Sequence, residues 1–189
     1  MAVGRPAPSH SHATDRTDAG KPFAVRRQLL FWFDADGPIA PYRPPNFPIF
    51  IWELQGVKQA FYGFPAVEGQ RGGVKVATQQ YETTTTPETV NRVASPDEAR
   101  AMHARYVAGN LPGLSSRVVK SAVCLYTVTP DAEFVIDRHP EFERVIVASP
   151  CSGHGFKHSA ALGEAISDLT TGTSSRFDLS AFGFARFER

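Results

Sequence analysis

A glycine-rich turn near the end of the chain has the residue types of an anion-binding site. Ser152-Gly153-His154-Gly155-Phe156-Lys157 follows an apolar run that predicts a buried strand, and it precedes a helical pattern. Glycines let the backbone approach a ligand closely, and the N–H groups at a helix start, here residues 155–158, favour negative charge. Lys157 adds a full positive charge. The turn therefore predicts anion binding, with an ordinary strand-to-helix connection as the alternative.

Three more side chains with possible chemistry lie on predicted strands, and each has a plain structural explanation. Cys124, two residues before Tyr126, reads by default as a small buried hydrophobe. Lys75 stands between Val74 and Val76, so it points to the opposite face from both, by default toward solvent. Tyr62 precedes Gly-Phe-Pro, and an isolated strand tyrosine usually has a packing role.

A metal site is not predicted. His154 and His158 are four residues apart at a helix start, a spacing that can hold a metal ion. The sequence places no third metal-ligating residue at a suitable spacing from these two, however. The carboxylates of Asp137 and Glu164 likewise give no convincing acid–base pair.

The length and the charge of the chain narrow the classes of partner. A chain of 189 residues is long enough for one well-buried core. The 20 basic and 19 acidic side chains form no basic cluster, which excludes a nucleic-acid or anionic-membrane partner and favours a small molecule. The sequence has no apolar run of transmembrane length and no secretory signal, so we predict a cytoplasmic protein with free thiols at Cys124 and Cys151.

The apolar patterning predicts the elements that must position these side chains. Residues 1–22 have almost no apolar content and predict a disordered leader, whereas 23–189 predict one folded region. The polar run Thr83–Thr86 predicts a solvated loop, and the Gln-Gly-Val-Lys segment predicts a hairpin between the second and third strands. Seven strands are predicted, at residues 25–33, 48–54, 59–64, 74–80, 118–128, 133–136 and 144–148.

Two helices have recognisable signals. Ser95-Pro96-Asp97-Glu98 is a capping box with proline at the first helical position, and that helix should end near Gly109. The final helix should stop at Gly172 and bury the stripe Leu162, Ala165, Ile166 and Leu169. The pattern predicts an α+β fold with an antiparallel or mixed β-sheet and two or three helices.

Several short segments occur in an order that is far more specific than any one of them. They are 122–127 (Ala-Val-Cys-Leu-Tyr-Thr), Pro130-Asp131, 134–137 (Phe-Val-Ile-Asp), His139-Pro140 and the glycine turn, with Tyr62-Gly63-Phe64-Pro65 and Gly73-Val74-Lys75 upstream. Together they resemble the monomeric sarcosine oxidase and N-methyl-tryptophan oxidase family of flavin amine oxidases. The likeness runs from about residue 20 to the C-terminus.

The resemblance is to the substrate-side half of that family. Its members begin with a Rossmann unit whose Gly-x-Gly-x-x-Gly motif holds FAD. This sequence has no such motif, since Gly69–Gly73 has the wrong spacing, and we expect the N-terminal Rossmann unit to be absent. The resemblance therefore implies that 23–189 is the C-terminal, substrate-side part of an FAD-dependent amine oxidase.

The resemblance also implies a role for each matching residue. Cys124 matches the cysteine that forms a covalent thioether to FAD. Residues 152–157 match the segment that lies against the flavin pyrimidine ring, and Lys157 also matches the ligand of the substrate carboxylate. Lys75 matches the lysine near flavin N5 that favours electron transfer to O2. The substrate pocket is implied for Tyr62, Gln79 and Tyr126, where Gln79 replaces a histidine of sarcosine-type members.

The implied function is that of an FAD-dependent oxidoreductase fragment or subunit. It would oxidise a secondary N-methyl amino acid such as sarcosine to an imine and reduce O2 to H2O2. The alternative is a truncated, non-catalytic orphan domain or interaction module that needs a separate FAD-binding chain. Because the early strands are rich in aromatic residues, sheet surface left uncovered would also favour self-association.

Overall fold

The computed structural model of this chain describes residues 22–187, which form two compact units. The first unit is Val25–Tyr126, and the second contains the residues from Thr127 onward. The predicted leader, residues 1–22, lies outside the described residues except for Pro22. No helix in the described range is long and apolar enough to cross a membrane.

A six-stranded sheet forms the first unit. Its strands run in the order β2-β3-β4-β1-β5, and β6 also pairs with β1. The registered pairs of β1 with β4 and β5, and of β3 with β2 and β4, are all antiparallel, which confirms the predicted sheet and the predicted hairpin. The strands are β1 (Ala24–Ala35), β2 (Phe50–Trp52), β3 (Phe61–Phe64), β4 (Val74–Thr78), β5 (Thr84–Thr85) and β6 (Leu114–Val128).

The prediction of a solvated loop at Thr83–Thr86 was wrong at its centre. Thr84 and Thr85 form β5, which pairs with Arg26 and Val25 of β1. Threonine is β-branched and suits an extended backbone. The open edge of β1 offers these residues a hydrogen-bonding partner, and that edge is not visible in the local sequence.

One face of the sheet forms the core of the first unit. Phe31 and Phe33 of β1 alternate inward with Val74 and Val76 of β4, and all four are buried. Helix α1 (Pro96–Met102) continues into a π-helical turn, His103–Val107, which ends close to the predicted Gly109. The helical segment adds Met102, Tyr106 and Val107 to the same apolar cluster.

Helix α1 is fastened to the sheet by its capping residues. The Ser95 hydroxyl accepts from the Glu98 N–H, and the Glu98 carboxylate accepts from the Ser95 N–H, as the capping box predicts. Glu98 also pairs with Arg27 of β1, whose Nη1 lies 2.5 Å from its Oε1. The Arg27 side chain is only 12% exposed and donates further to the carbonyls of Asn91 and Val93.

The second unit is a hairpin packed with one helix. Strands β7 (Val135–Arg138) and β8 (Ile146–Ser149) are antiparallel, and each begins two residues later than predicted. Residues 146–149 are only partly buried or exposed, so the expectation of a buried strand before the glycine turn was wrong. Helix α2 (Ser159–Thr171) stops at left-handed Gly172, as predicted, and buries Leu162 and Ala165.

The Glu98 carboxylate should make a measurable contribution to stability. Replacing Glu98 by Gln should lower the free energy of unfolding by about 1–3 kcal/mol, because buried Arg27 loses its charged partner. The Arg27 hydrogen bond holds the pKa of Glu98 below its ordinary value. This contribution is therefore present above the unfolded-state pKa and is lost as the pH falls through the folded-state pKa.

Urea unfolding at a series of pH values measures this contribution. The matched control is Asp97→Asn, since Asp97 pairs with Arg100 on the exposed side of the same helix. The control should change stability by less than about 1 kcal/mol. Equal losses in the two variants, or a Glu98→Gln loss that does not shrink toward acid pH, would contradict the assignment.

Candidate functional site

The face of the sheet opposite the core gathers most of the side chains with predicted chemistry. Lys75 of β4 pairs with Trp32 of β1 on one side and with Phe64 of β3 on the other. Paired residues share a face, and residues two apart on a strand do so as well, which adds Tyr62. The first unit therefore has an apolar core face and a second face, which we call the lysine face, centred on Lys75.

Lys75 lies in a cradle of aromatic rings. Its Nζ is 4.8 Å from the ring centroid of Phe64, 5.6 Å from that of Trp32 and 5.9 Å from that of Tyr62. The side chain is half-buried, so Lys75 points away from Val74 and Val76 as predicted but is not a fully solvated lysine. Aromatic faces attract a cation at these distances.

Burial and charge act on Lys75 in opposite directions. The pKa of Lys75 is lowered, first because burial removes water from the ammonium group. The nearby Cys124 raises this pKa, and the positive charge of Lys120 lowers it further. Lys75 is thus an ammonium group whose surroundings weaken its hold on the proton.

Two phenols meet next to this cradle. The hydroxyl of Tyr62 lies 3.2 Å from the hydroxyl of Tyr126, which β6 contributes. Burial, followed by the hydrogen bond with Tyr62, raises the pKa of Tyr126 far above its ordinary value. Tyr126 is therefore a neutral hydrogen-bonding group at physiological pH.

Cys124 is exposed, and it lies two residues before Tyr126 on β6, so both belong to the lysine face. The default interpretation of Cys124 as a buried hydrophobe was therefore wrong. Its thiol is free, as is that of Cys151 in the second unit. Gln79 follows the end of β4 and is partly buried.

The second unit contains the glycine turn, whose first residues are fixed by internal contacts. Ser152 is fully buried, and its hydroxyl lies 3.4 Å from the backbone nitrogen and from the hydroxyl of Thr129. Ser152 and Gly153 both have left-handed backbones, with φ of 62° and 86°. His154 is held by its Nε2, 2.9 Å from the Ala132 carbonyl oxygen, and by ring contact with Phe134.

The end of the turn is open to solvent. Gly155 is buried against Pro150, and a Cβ at this glycine would lie 1.9 Å from the Pro150 carbonyl oxygen. Residues Phe156–His158 form a 3-10 turn before α2, in which the His158 N–H donates to the Gly155 carbonyl. Lys157 is exposed, and the Phe156 side chain is 93% exposed.

Sequence reasoning missed three residues of the lysine face: Trp32, Phe64 and Lys120. Lys120 of β6 places its Nζ 4.8 Å from the Trp32 ring centroid. Alternation along the strands predicts the side of its own strand on which each of Trp32 and Phe64 lies. Their meeting with Lys75 depends on register between strands far apart in sequence, which alternation alone does not give.

The lysine face has the chemistry of a site for a planar, electron-accepting ligand with an electrophilic position that a thiol can attack. An exposed thiol offers a point of attachment, and a partly desolvated ammonium group stabilises negative charge that develops nearby. The aromatic rings and the phenol pair add apolar and hydrogen-bonding surface. FAD fits this set of groups, because the Cys124 thiol is accessible on the face where Lys75 and Tyr126 lie.

Comparison with known proteins identifies the family. Residues 13–169 match the family model described as FAD dependent oxidoreductase. The chain belongs to this family. It is 43% identical over 161 residues to the monomeric sarcosine oxidase of Streptomyces avermitilis, covering 84% of this chain and 41% of that protein. It is 34% identical over 170 residues to the N-methyl-L-tryptophan oxidase of Salmonella heidelberg, covering 86% and 42%.

Two solved structures have a similar fold. NikD, an unusual amino acid oxidase essential for nikkomycin biosynthesis, matches with a TM-score of 0.64 at 18% identity, over 86% of this chain and 42% of that one. The fructosamine oxidase of Aspergillus fumigatus (Amadoriase II) gives 0.61 at 18% identity, over 86% and 40%. The α+β fold and the resemblance expected from the sequence are both confirmed. The chain spans about two-fifths of the length of these relatives.

Gly155 should be required for folding of the glycine turn. Changing Gly155 to Ala should lower the free energy of unfolding of the second unit by about 1–3 kcal/mol, because the added Cβ overlaps the Pro150 carbonyl. The control is Gly163→Ala in α2, where a Cβ meets nothing within 4 Å. That change should be neutral or stabilising by up to about 1 kcal/mol.

Far-UV circular dichroism during urea unfolding suits this comparison, because both tryptophans, Trp32 and Trp52, lie in the first unit. A Gly155→Ala protein as stable as the wild type would show that the backbone at Pro150 shifts to accommodate the added Cβ. The contact with Pro150 would then not explain the glycine at position 155.

Proposed function

We propose that this chain provides the substrate side of a flavin amine oxidase that oxidises a secondary N-methyl amino acid, such as sarcosine, to an imine and reduces O2 to H2O2. One observation carries the proposal: an accessible thiol, Cys124, lies on the same sheet face as the aromatic cradle of Lys75. The similarity to sarcosine and N-methyl-tryptophan oxidases supports the substrate class.

Each residue of the lysine face has a part in this proposal. FAD, when bound, would supply an acceptor for the hydride of the substrate carbon. Cys124 would hold the cofactor on β6 through its thiol. Lys75 provides positive charge where negative charge develops on oxygen as O2 is reduced, a form of electrostatic stabilisation that needs no proton transfer.

The remaining predicted residues bind the substrate and the flavin ring. Tyr62 and Tyr126 supply a pair of hydrogen-bonded hydroxyls and apolar ring surface for the amine, with Gln79 at the end of β4. Residues 152–156 of the glycine turn would hold the flavin, and the exposed ammonium of Lys157 would bind the substrate carboxylate. A glutamine at position 79 offers amide hydrogen bonds, and it cannot supply the charge of a protonated imidazole.

Covalent attachment of flavin at Cys124 is directly testable. The chain is purified with whatever flavin it holds, or after co-expression with a separate FAD-binding chain, then denatured and freed of small molecules. Flavin absorbance should stay with the wild-type protein and be lost from Cys124→Ala. The matched control is Cys151→Ala, which removes the other free thiol and should keep the absorbance.

The pattern of absorbance decides between the proposals. Loss in both cysteine variants, or in neither, would contradict attachment at Cys124. A colourless wild-type chain that becomes yellow only with the FAD-binding chain would support a subunit that acts together with a separate FAD-binding chain. A colourless chain under both conditions would support the non-catalytic alternative.

The role of Lys75 in oxygen reduction predicts a selective kinetic defect. Lys75→Met in the flavin-loaded protein should lower kcat/KM for O2 by about 10²–10³-fold, the usual effect of removing one preorganised electrostatic partner. Anaerobic reduction by sarcosine should change far less, and Lys75→Arg should recover part of the loss. Lys58→Met is the control, because Lys58 is exposed and paired with Glu82.

Stopped-flow measurement of the two half-reactions separates these effects. Equal losses in anaerobic reduction and in reoxidation by O2 would place Lys75 in substrate binding. That result would overturn its assignment to the oxygen reaction.

A further inference from the structure

The indole of Trp32 is shared by two lysines from different strands. The Nζ of Lys120 lies 4.8 Å from the Trp32 ring centroid, and the Nζ of Lys75 lies 5.6 Å from it. Lys75 comes from β4 and Lys120 from β6, and both strands pair with β1, which carries Trp32. Trp32 thus lies between its two neighbours in the sheet, each of which places one ammonium group on its ring.

The two lysines lie closest to different aromatic rings. Lys120 is the nearer cation to Trp32, whereas the closest ring to Lys75 is that of Phe64, at 4.8 Å. Both nitrogens lie against one ring, so they are separated by no more than about 10 Å, one Debye length at 0.1 M salt. Their repulsion is therefore only partly screened, and it favours the position of Lys75 toward Phe64 and Tyr62.

We propose that Lys120 is a positioning residue for Lys75: it occupies the Trp32 ring and directs the Lys75 ammonium toward Phe64 and Tyr62. The functional consequence rests on the proposed role of Lys75 in oxygen reduction. Lys120 acts on the reaction through Lys75 and Trp32, and it is not assigned a contact with substrate or flavin.

The charges around Lys75 give the sign of the electrostatic effect. The titratable groups that act on or contact Lys75 include Tyr62 of β3 and Lys120 and Cys124 of β6, with Tyr126 behind Tyr62, while β1 presents Trp32. Burial lowers the pKa of Lys75, Cys124 raises it, and Lys120 lowers it. Removing the positive charge of Lys120 should therefore raise the pKa of Lys75 and let its ammonium move toward the vacated indole.

The test measures the titration of Lys75 itself, so it depends on neither flavin nor turnover. The chain is labelled with a limiting amount of acetic anhydride across a pH series, and mass spectrometry follows acetylation of Lys75. In Lys120→Gln the midpoint should move to higher pH, with at least about a two-fold increase in proton affinity, or 0.3 pKa unit. Lys120→Arg should keep the wild-type midpoint, because it retains the charge on the ring.

The control is Lys58→Gln, which removes an exposed lysine of the same unit and should leave the Lys75 midpoint unchanged. Lys120 is itself exposed, and far-UV circular dichroism verifies that its variants fold. An unchanged midpoint in Lys120→Gln would overturn the proposal. The same shift in Lys120→Gln and Lys120→Arg would also overturn it, because the effect would then follow from altered packing and not from charge.

A kinetic measurement on the flavin-loaded protein completes the test. The pH profile of kcat/KM for O2 should move to higher pH in Lys120→Gln, in step with the Lys75 midpoint, and return in Lys120→Arg. A midpoint that shifts while the profile stays in place would overturn the link to the reaction. If Lys75→Met leaves O2 kinetics intact, the proposed function of Lys75 fails while the titration result still decides the coupling to Lys120.

Discussion

The lysine face depends on the position of β4 between β1 and β3. Antiparallel register sets Lys75 opposite Trp32 and Phe64, while Val74 and Val76 enter the core on the other side. A slip of one residue would exchange these faces, placing the lysine in the core and the valines in solvent. Burial of the two valines therefore fixes the location of the amine more strongly than any contact that the amine makes.

Gly63 contributes to the same constraint at the neighbouring strand. A Cβ on this residue would lie 2.3 Å from the Lys75 carbonyl oxygen and 2.5 Å from the ring of Phe50. The missing side chain lets Phe50 cover the core side of β3 while β3 stays paired with β4. Tyr62 and Phe64, on either side of this glycine, are thereby held on the lysine face. A packing requirement in the core thus determines the spacing of two rings at the site.

Local signals predicted the parts of this molecule that depend on neighbours in sequence. The capping box at Ser95 and Glu98, the left-handed stop at Gly172 and the alternation of Lys75 with its valines were all readable, and the structure has each of them. Pairing over long separations was not readable. The threonines of β5 are ordered by the edge of β1, and Trp32 meets Lys75 and Lys120 through strands that are distant along the chain.

The glycine turn shows why residue type and function need separate explanations. Gly155 is required by the Pro150 carbonyl, and Gly153 is favoured by its left-handed backbone, so both glycines would be needed without any ligand. The hydroxyl of buried Ser152 likewise already has a hydrogen-bonding partner in the Thr129 hydroxyl. The fold gives no such reason for the last two positions of the turn. Phe156, 93% exposed, and Lys157 present an apolar ring and a cation to solvent, and this pairing suits a planar ligand that bears negative charge.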